Sequence, residues 1–426
     1  MMSSKLKWLI VIQLLLNEQA LCRVPPPSVQ KSTLLPGSDT HKAVEDMSKQ
    51  NLDSLLGSQV QSGLSPVEKS ERIRSAQRMT SVLGAKLQEQ IHAHLHIQGN
   101  ISCEELLSAS AVDDSLSSMF PQELLGLSLV PVLVVAGCPK EAQTLLLKLY
   151  DLLGVADTEE LLMEVEGLIE RRMSKSAAAP TPTSASLPSG RDQTQRHIKA
   201  VMFNIEQLAF VGEGNTIQEG HCEGWSQVNG TILIGNVVEG GTGGLEDAVS
   251  SCESLGFLCA GVTSSGRHTP GMYQAVWKKG SRILPSESTE SETWIHQCSA
   301  TAATGHRWKR STQRNCINKS EQRVYSVMEW IPGVSTLYNL GTAVYYASVN
   351  CSETAKERAI LSAVDLGTDA LMVATGGTAG VAGYALGAGV KTGVKAGVKY
   401  LLNSMKEEDD MLVNQFSSEE GVITID

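Results

Sequence analysis

Residues 324–373 read VYSVMEWIPGVSTLYNLGTAVYYASVNCSETAKERAILSAVDLGTDALMV, and this stretch decides the fold class of the chain. Pro332 and Gly333 interrupt its first apolar part, which is typical of a short helix that ends there. Downstream, apolar residues recur at spacings of three and four, which predicts a helix that Ser352 caps and that continues through Val373. The stretch therefore predicts packed α-helices.

A four-residue repeat, GVKT-GVKA-GVKY, occupies 389–400 after a charge-free, Gly-rich run at 370–390. Each residue of a helix advances by about 100°, so the glycines of the repeat share one row, the valines flank it and the lysines lie on the opposite side. Such an amphipathic helix is typical of the lipid–water interface, where lysines reach the phosphate layer. The predicted lipid-binding residues are Val390, Lys391, Val394, Lys395, Val398 and Lys399.

Two other interpretations of 370–390 stay open. As a helix, its 21 uncharged residues would span about 30 Å, so the run is a candidate single-pass membrane anchor with a lysine flank. The same Gly/Ala-rich run also suits a helical hairpin packed in an ordinary protein core. The repeat alone does not distinguish a lipid surface from these two environments.

The chain upstream of this region changes character between two predicted modules. Residues 67–172 carry helical periodicity, with a capping-box spacing of Asp157 and Glu160, and predict a helical, propeptide-like domain. Residues 196–310 combine a short helix, β-branched runs and clustered cysteines, with Gly240–Gly244 as a flexible turn. They predict a small disulfide-stapled α/β or β module within a chain that is mainly α.

Composition assigns the segments between and after these modules. Residues 23–66 are rich in Ser, Pro and Gln and are predicted to be disordered. Residues 173–195 form a Ser/Pro-rich linker, and residues 311–426 form the predicted lipid-associating domain, helical and rich in Gly and Ala.

Residues 1–22 predict a cleaved signal peptide. Lys5 and Lys7 precede the apolar run Trp8–Leu16, and the small residues that end at Cys22 favour cleavage after that cysteine. The apolar run is shorter than the roughly 20 residues that a transmembrane helix needs. The chain is therefore predicted to be secreted and extracellular.

Eight cysteines remain after that cleavage, an even number that suggests disulfides in a secreted chain. The simplest local pairings join Cys103 to Cys138 and Cys316 to Cys351, and the middle four make two bridges of open connectivity. No Cys-x-x-Cys spacing supports a metal site. The predicted disulfide cysteines are Cys103, Cys138, Cys222, Cys252, Cys259, Cys298, Cys316 and Cys351.

Two kinds of processing site accompany the cysteines. Arg307, Lys309 and Arg310 form the R-x-K-R pattern that secretory convertases cut, which predicts cleavage after Arg310. Asn-x-Ser/Thr triplets predict glycosylation at Asn100, Asn229, Asn318 and Asn350.

Charge and motifs exclude several functions. The formal net charge of −11 and the lack of a basic stripe argue against nucleic acid as a partner. Neither a Gly-x-Ser-x-Gly nor a His-Glu-x-x-His motif occurs, and no cofactor fingerprint has its required context. We therefore predict a non-enzymatic protein without catalytic residues, cofactor or metal.

The words LYNLGT, YYAS and AKERA, in this order between Pro332 and Leu371, resemble the apolipoprotein F family. The run SLVPVLVVAGCPKEAQTLLLKLYDLLG at 128–154 is similar to the precursor part of that family. This resemblance implies a secreted protein, made as a longer precursor and carried on plasma lipoproteins (HDL or LDL). It also implies an effect on lipid transfer by cholesteryl ester transfer protein.

The middle module departs from the resemblance. Its words DAVSSCESLGFLCAGV and WIHQC are faintly similar to apple/PAN recognition modules. The alternative function is therefore a secreted or membrane-anchored recognition protein whose cysteine-rich module binds a protein or glycan.

Overall fold

The structure is a computed structural model whose described residues fall into twelve ranges. These are 65–95, 101–109, 119–178, 188–209, 220–264, 271–288, 290–300, 316, 319–331, 333–349, 351–376 and 395–406. The predicted signal peptide, the segment 23–64 and the R-x-K-R pattern lie outside these residues.

Helices dominate both ends of the described chain, which confirms the mainly α class with a small sheet in the middle. Before the sheet run α1 (Pro66–Leu95), α2 (Cys103–Ser108), α3 (Met119–Val135), α4 (Pro139–Leu152), α5 (Val155–Ala178) and α6 (Pro188–Ala209). After the sheet run α8 (Lys319–Met328), α9 (Val334–Ser348), α10 (Ser352–Leu366), α11 (Thr368–Gly376) and α12 (395–406).

The strands and one helix form the middle module. They are β1 (Gly220–Gln227), β2 (Thr231–Ile234), β3 (Val237–Gly243), α7 (Leu245–Leu255), β4 (Cys259–Ser264), β5 (Tyr273–Trp277), β6 (Arg282–Pro285) and β7 (Thr293–Ala300). One antiparallel sheet has the order β1-β7-β4-β5-β3, and β2 pairs with β6.

Helix α9 lies at the centre of the helical core. Thirteen of its 15 residues are buried, and it packs against α3, α6 and α10. Gly341 allows the contact with α3, because a Cβ there would lie 3.0 Å from Leu125 Cγ and 3.2 Å from Leu124 Cβ. A helix buried on every face needs neighbours on every side, and the N-terminal helices supply two of the three.

Buried polar groups around α9 converge on Glu321 of α8. Its carboxylate accepts hydrogen bonds from Tyr338 (3.4 Å), Tyr346 (3.0 Å) and Arg358 (3.1 Å). The Arg358 guanidinium also lies 3.4 Å from the ring centroid of Tyr325. Burial raises the pKa of the hydroxyls of Tyr325, Tyr338 and Tyr346, so all three stay neutral. Glu321 gives the Tyr338 and Tyr346 hydroxyls of α9 an acceptor inside the core.

The helix predicted from Ser352 through Val373 is wrong in its extent. It is two helices, α10 and α11, which meet at an angle of 116°. Gly367 between them has φ +90°, a conformation that favours glycine and ends α10. Cys351, not Ser352, is the residue that precedes the first helical position.

Two other local predictions differ from the structure. The segment 173–195 is helical at both ends, since α5 extends to Ala178 and α6 begins at Pro188. Pro180 disfavours helical backbone at the residue before it, which accounts for the end of α5. Most of Gly240–Gly244 belongs to strand β3, where the register shifts between Val237 and Thr242, instead of forming a separate turn.

The sheet has two buried faces. Side chains alternate along β7, so Trp294 joins a small core beneath α7 while Ile295 joins the large helical core. On β5, Ala275 and Val276 divide in the same way. The cysteine-rich module is therefore continuous with the helices through one face.

Four disulfides join all eight cysteines from Cys103 to Cys351. The bridges are Cys103–Cys138, Cys222–Cys298, Cys252–Cys259 and Cys316–Cys351. The connectivity that the sequence leaves open in the middle module is thus one bridge between β1 and β7 and one between α7 and β4. None of the four crosses position 310.

Asn204 of α6 ties the sheet to the C-terminal helices. Its amide accepts from Ile283 N and donates to Ile283 O, each at 2.8 Å, so it completes the free edge of β6. The same Nδ2 lies 3.3 Å from Met372 O and from Thr375 Oγ1 on α11. One buried side chain therefore connects three parts of the fold.

We predict that Asn204→Ala lowers the free energy of unfolding by about 3 kcal/mol, because it leaves the buried N–H and C=O of Ile283 without partners. Asn403→Ala is the control, because Asn403 is an exposed helical asparagine. Urea unfolding followed by circular dichroism measures both. Equal stability of the two variants would contradict the role of Asn204.

Candidate lipid-contacting site

The repeat that predicts lipid contact ends in helix α12. Four of its apolar side chains are buried at helical spacing, and they are Val398, Leu401, Leu402 and Met405. Positions separated by three, four and seven residues form one stripe of a helix. This stripe belongs to the large helical core, so α12 is docked on the protein.

Gly397, the one glycine of the repeat among the described residues, lies in a close helix contact. A Cβ on Gly397 would lie 2.6 Å from Ala374 O, a backbone atom of α11. A larger side chain there would force α12 away from α11. Glycine at this position therefore lets the two helices approach each other.

The lysine row faces α5. Lys395 pairs with Asp157 and lies 3.5 Å from Glu160, which also pairs with Lys399. Lys406 extends the row with a contact of 3.6 Å to Glu164. The pairs occur in the same order along both helices, so α12 and α5 run in the same general direction.

These pairs shift the pKa values of the groups in them. The hydrogen bond to Asp157 raises the pKa of the Lys395 ammonium. The hydrogen bond from Lys399 lowers the pKa of the Glu160 carboxyl. Both shifts favour the charged forms of Lys395 and Glu160.

Helix α12 thus lies between α11 on its glycine side and α5 on its lysine side. Of the six predicted lipid-binding residues, Lys395, Val398 and Lys399 come together here, and all three contact protein. Val390, Lys391 and Val394 lie outside the described residues. Lipid contact by this helix stays a prediction, and it requires α12 to leave its docked position.

The sequence pattern missed both the end of the apolar stripe and the acidic partners. Leu401, Leu402 and Met405 continue the period of Val398 beyond the four-residue repeat, so a longer window would have found them. Asp157 and Glu160 do not form the predicted capping box, because α5 already begins at Val155. Their carboxylates pair with α12 instead.

The other predicted sites divide between described and undescribed residues. Asn229 lies in an exposed turn, and its backbone carbonyl lies 3.2 Å from His197 Nε2. The remaining glycosylation and processing residues lie outside the described parts of the chain; they are Asn100, Asn318, Asn350, Cys22, Arg307, Lys309 and Arg310.

Cys222, His296 and Cys298 bring three side chains of metal-ligand type within 4.8 Å of one another. Both cysteines belong to one disulfide, so neither sulfur is the thiolate that a metal binds. His296 stacks on Trp225 with ring centroids 4.6 Å apart, and burial lowers its pKa. The arrangement is a packed core of neutral groups between two bridges.

Within the described ranges, no single helix is long and apolar enough to span a membrane. Helices α10 and α11 pass the length and composition test only together, as the pair bent by 116°.

Comparison with known proteins yields one family. The sequence model described as Apolipoprotein F matches residues 275–405. Apolipoprotein F of Rattus norvegicus is 44% identical over 110 residues, which are 26% of this chain and 36% of that protein. Apolipoprotein F of Mus musculus is 44% identical over 110 residues and that of Homo sapiens 39% over 113, in each case 26% of this chain and 35% of the relative.

The chain therefore spans about a third of the length of the curated relatives that it matches. No solved structure matches. The family match begins in β5 and passes the predicted boundary at 310, so the end of the cysteine-rich module belongs to the matched segment. Residues 275–405, which include β6, β7 and the buried helix α9, are thus similar to the apolipoprotein F family.

Proposed function

We propose that this chain is a secreted protein that binds lipoprotein surfaces and modulates the transfer of cholesteryl ester between lipoproteins. The similarity to apolipoprotein F supports association with lipoproteins in general, and we propose HDL or LDL as the particle. The single observation that carries the proposal is helix α12, with its continuous apolar stripe beside a row of lysines. The proposal assigns the chain no catalytic role.

The energetics of α12 favour a lipid surface as its alternative partner. Complete burial of a Val or Leu side chain contributes about 1.5–3 kcal/mol, and α12 offers four buried apolar side chains. Lysines near an anionic surface add about 1 kcal/mol each at low salt. At a lipid surface the apolar stripe would contact the acyl chains while the lysines contact the headgroups.

Several features support secretion. All eight cysteines after Cys22 are paired, which suits the oxidising secretory pathway. Asn229 presents its predicted glycosylation triplet in an exposed turn. We propose cholesteryl ester transfer protein as a further partner, on the basis of the family resemblance alone.

We predict that Val394→Asp weakens lipoprotein binding by roughly tenfold or more, because it puts a carboxylate in the Gly/Val row and removes a valine contact of at least about 1.5 kcal/mol. Density ultracentrifugation of the full chain with plasma lipoproteins measures the floating fraction. Val67→Asp is the matched control, since Val67 is exposed on α1. If Val394→Asp floats as well as the control, the repeat is not the lipid contact.

We also expect the full chain to change the rate at which cholesteryl ester transfer protein moves labelled cholesteryl ester from one lipoprotein class to another. We expect Val394→Asp to reduce this change in rate in proportion to its loss of lipoprotein binding, because the chain must bind the lipoprotein before it can affect transfer. If the wild-type chain floats fully with lipoproteins but does not change the transfer rate, the lipid-transfer role is contradicted. Lipoprotein binding would still stand in that case.

The third prediction concerns cleavage after Arg310, which yields two pieces that we expect to stay together. No bridge joins them, since three disulfides lie before position 310 and the fourth, Cys316–Cys351, lies after it. Helix α9 nevertheless packs on α3 and α6, and α11 on α6 and β6. The pieces therefore co-purify in native buffer and separate in denaturant without reductant.

Arg310→Ala is the control for this experiment and gives one full-length species. Secretion of only full-length wild-type chain would show that the site is not used. Separation of the pieces in native buffer would instead show that the described packing does not survive the cut.

A further inference from the structure

Lys395 and Lys399, which are predicted to meet lipid headgroups, and Lys406 of the same helix already have anionic partners inside the protein. Asp157, Glu160 and Glu164 of α5 hold Lys395, Lys399 and Lys406 in one continuous row. The apolar stripe of α12 is buried at the same time. In this state the apolar stripe is not accessible to a lipid surface, and the partly exposed lysines are paired with carboxylates.

We propose that α5 is an intramolecular cover for α12, and that its carboxylates compete with the anionic headgroups of a phospholipid surface for the same three lysines. This inference rests on the proposed lipid contact of α12. A carboxylate row and a phosphate layer present the same chemistry to an ammonium group, which is why one can replace the other. The N-terminal helical region therefore limits lipid binding by the C-terminal helix.

The pairs are placed where an approaching surface can reach them. Lys395 and Glu160 keep 27% and 45% of their side-chain surface exposed, and Lys399 keeps 34%. Exposed pairs are weak and are screened by salt, each changing an equilibrium by about two- to fivefold. The ion pairs therefore stabilise the docked position of α12 only weakly. Burial of the apolar stripe contributes the larger part of the docking free energy.

Two other acidic side chains of this region offer a matched control. Asp151 of α4 lies 2.7 Å from Arg72, and Glu159 of α5 lies 3.4 Å from Arg78, and both arginines belong to α1. Neutralising these two carboxylates changes the net charge by the same amount as neutralising Asp157 and Glu160. It touches the interface with α1 and leaves the contacts of α12 in place.

The test combines two measurements on the full chain. Hydrogen exchange of the amides of 395–406 reports docking of α12, and flotation reports binding to vesicles of phosphatidylcholine alone or in equal parts with phosphatidylserine. We expect Asp157→Asn with Glu160→Gln to speed exchange of 395–406 and to raise binding to the anionic vesicles by about three- to tenfold. Asp151→Asn with Glu159→Gln is expected to match wild type in both.

A charge-swapped variant separates docking from lipid attraction. Asp157→Lys and Glu160→Lys together with Lys395→Glu and Lys399→Glu restore the pairing with opposite signs. We expect exchange as slow as in wild type and anionic-vesicle binding below wild type.

Two outcomes would overturn the proposal. If neutralising Asp157 and Glu160 speeds exchange but leaves vesicle binding at the wild-type level, α5 does not cover the site, and lipid binding by the chain stands. If exchange does not change, the pairs do not bias docking and the proposal fails. Failure of the proposed function has a different signature: neither wild type nor the released variant floats with any vesicle, although exchange of 395–406 increases.

Discussion

Burial of α9 on every face is the constraint on which the rest of the structure depends. A helix with 13 of 15 residues buried cannot rest on a surface, so it needs α3, α6 and α10 around it. Its tyrosines enter the core with their hydroxyl groups, which requires the Glu321 carboxylate, and that carboxylate in turn requires Arg358. The segment that matches the family is therefore folded against helices that lie more than a hundred residues upstream.

The same constraint reaches the sheet and the last helix. Asn204 connects α6 to β6 and α11, and a Cβ on Gly376 at the end of α11 would lie 2.4 Å from Leu284 Cδ2 of β6. Helix α12 then closes against α11 through Gly397. The cysteine-rich module and the helical regions thus meet through close contacts that permit little substitution.

Local sequence signals were sufficient for the mainly α class with a small disulfide-containing sheet region, because helical periodicity and cysteine spacing are local properties. The partners of α12 were not predictable in this way, since Lys395 and Asp157 are 238 residues apart. The spacing of Asp157 and Glu160 fits a capping box as well as it fits ion pairs with another helix. Only the start of α5 at Val155 excludes the capping box. Gly367 shows the same limit, because a glycine in an apolar helical pattern ends or continues the helix according to what its neighbours pack against.

An amphipathic repeat specifies what a helix needs, not which partner supplies it. The stripe of α12 needs an apolar partner and its lysines need anions, and both a protein core with α5 beside it and a lipid surface meet these needs. Under the proposed function, the protein-core and lipid-surface interpretations of the repeat describe two states of one helix and do not exclude each other. The equilibrium between these two positions of α12 depends on the difference between two similar sets of interactions. A few exposed ion pairs can therefore shift it, whereas they would not shift the position of a deeply packed helix.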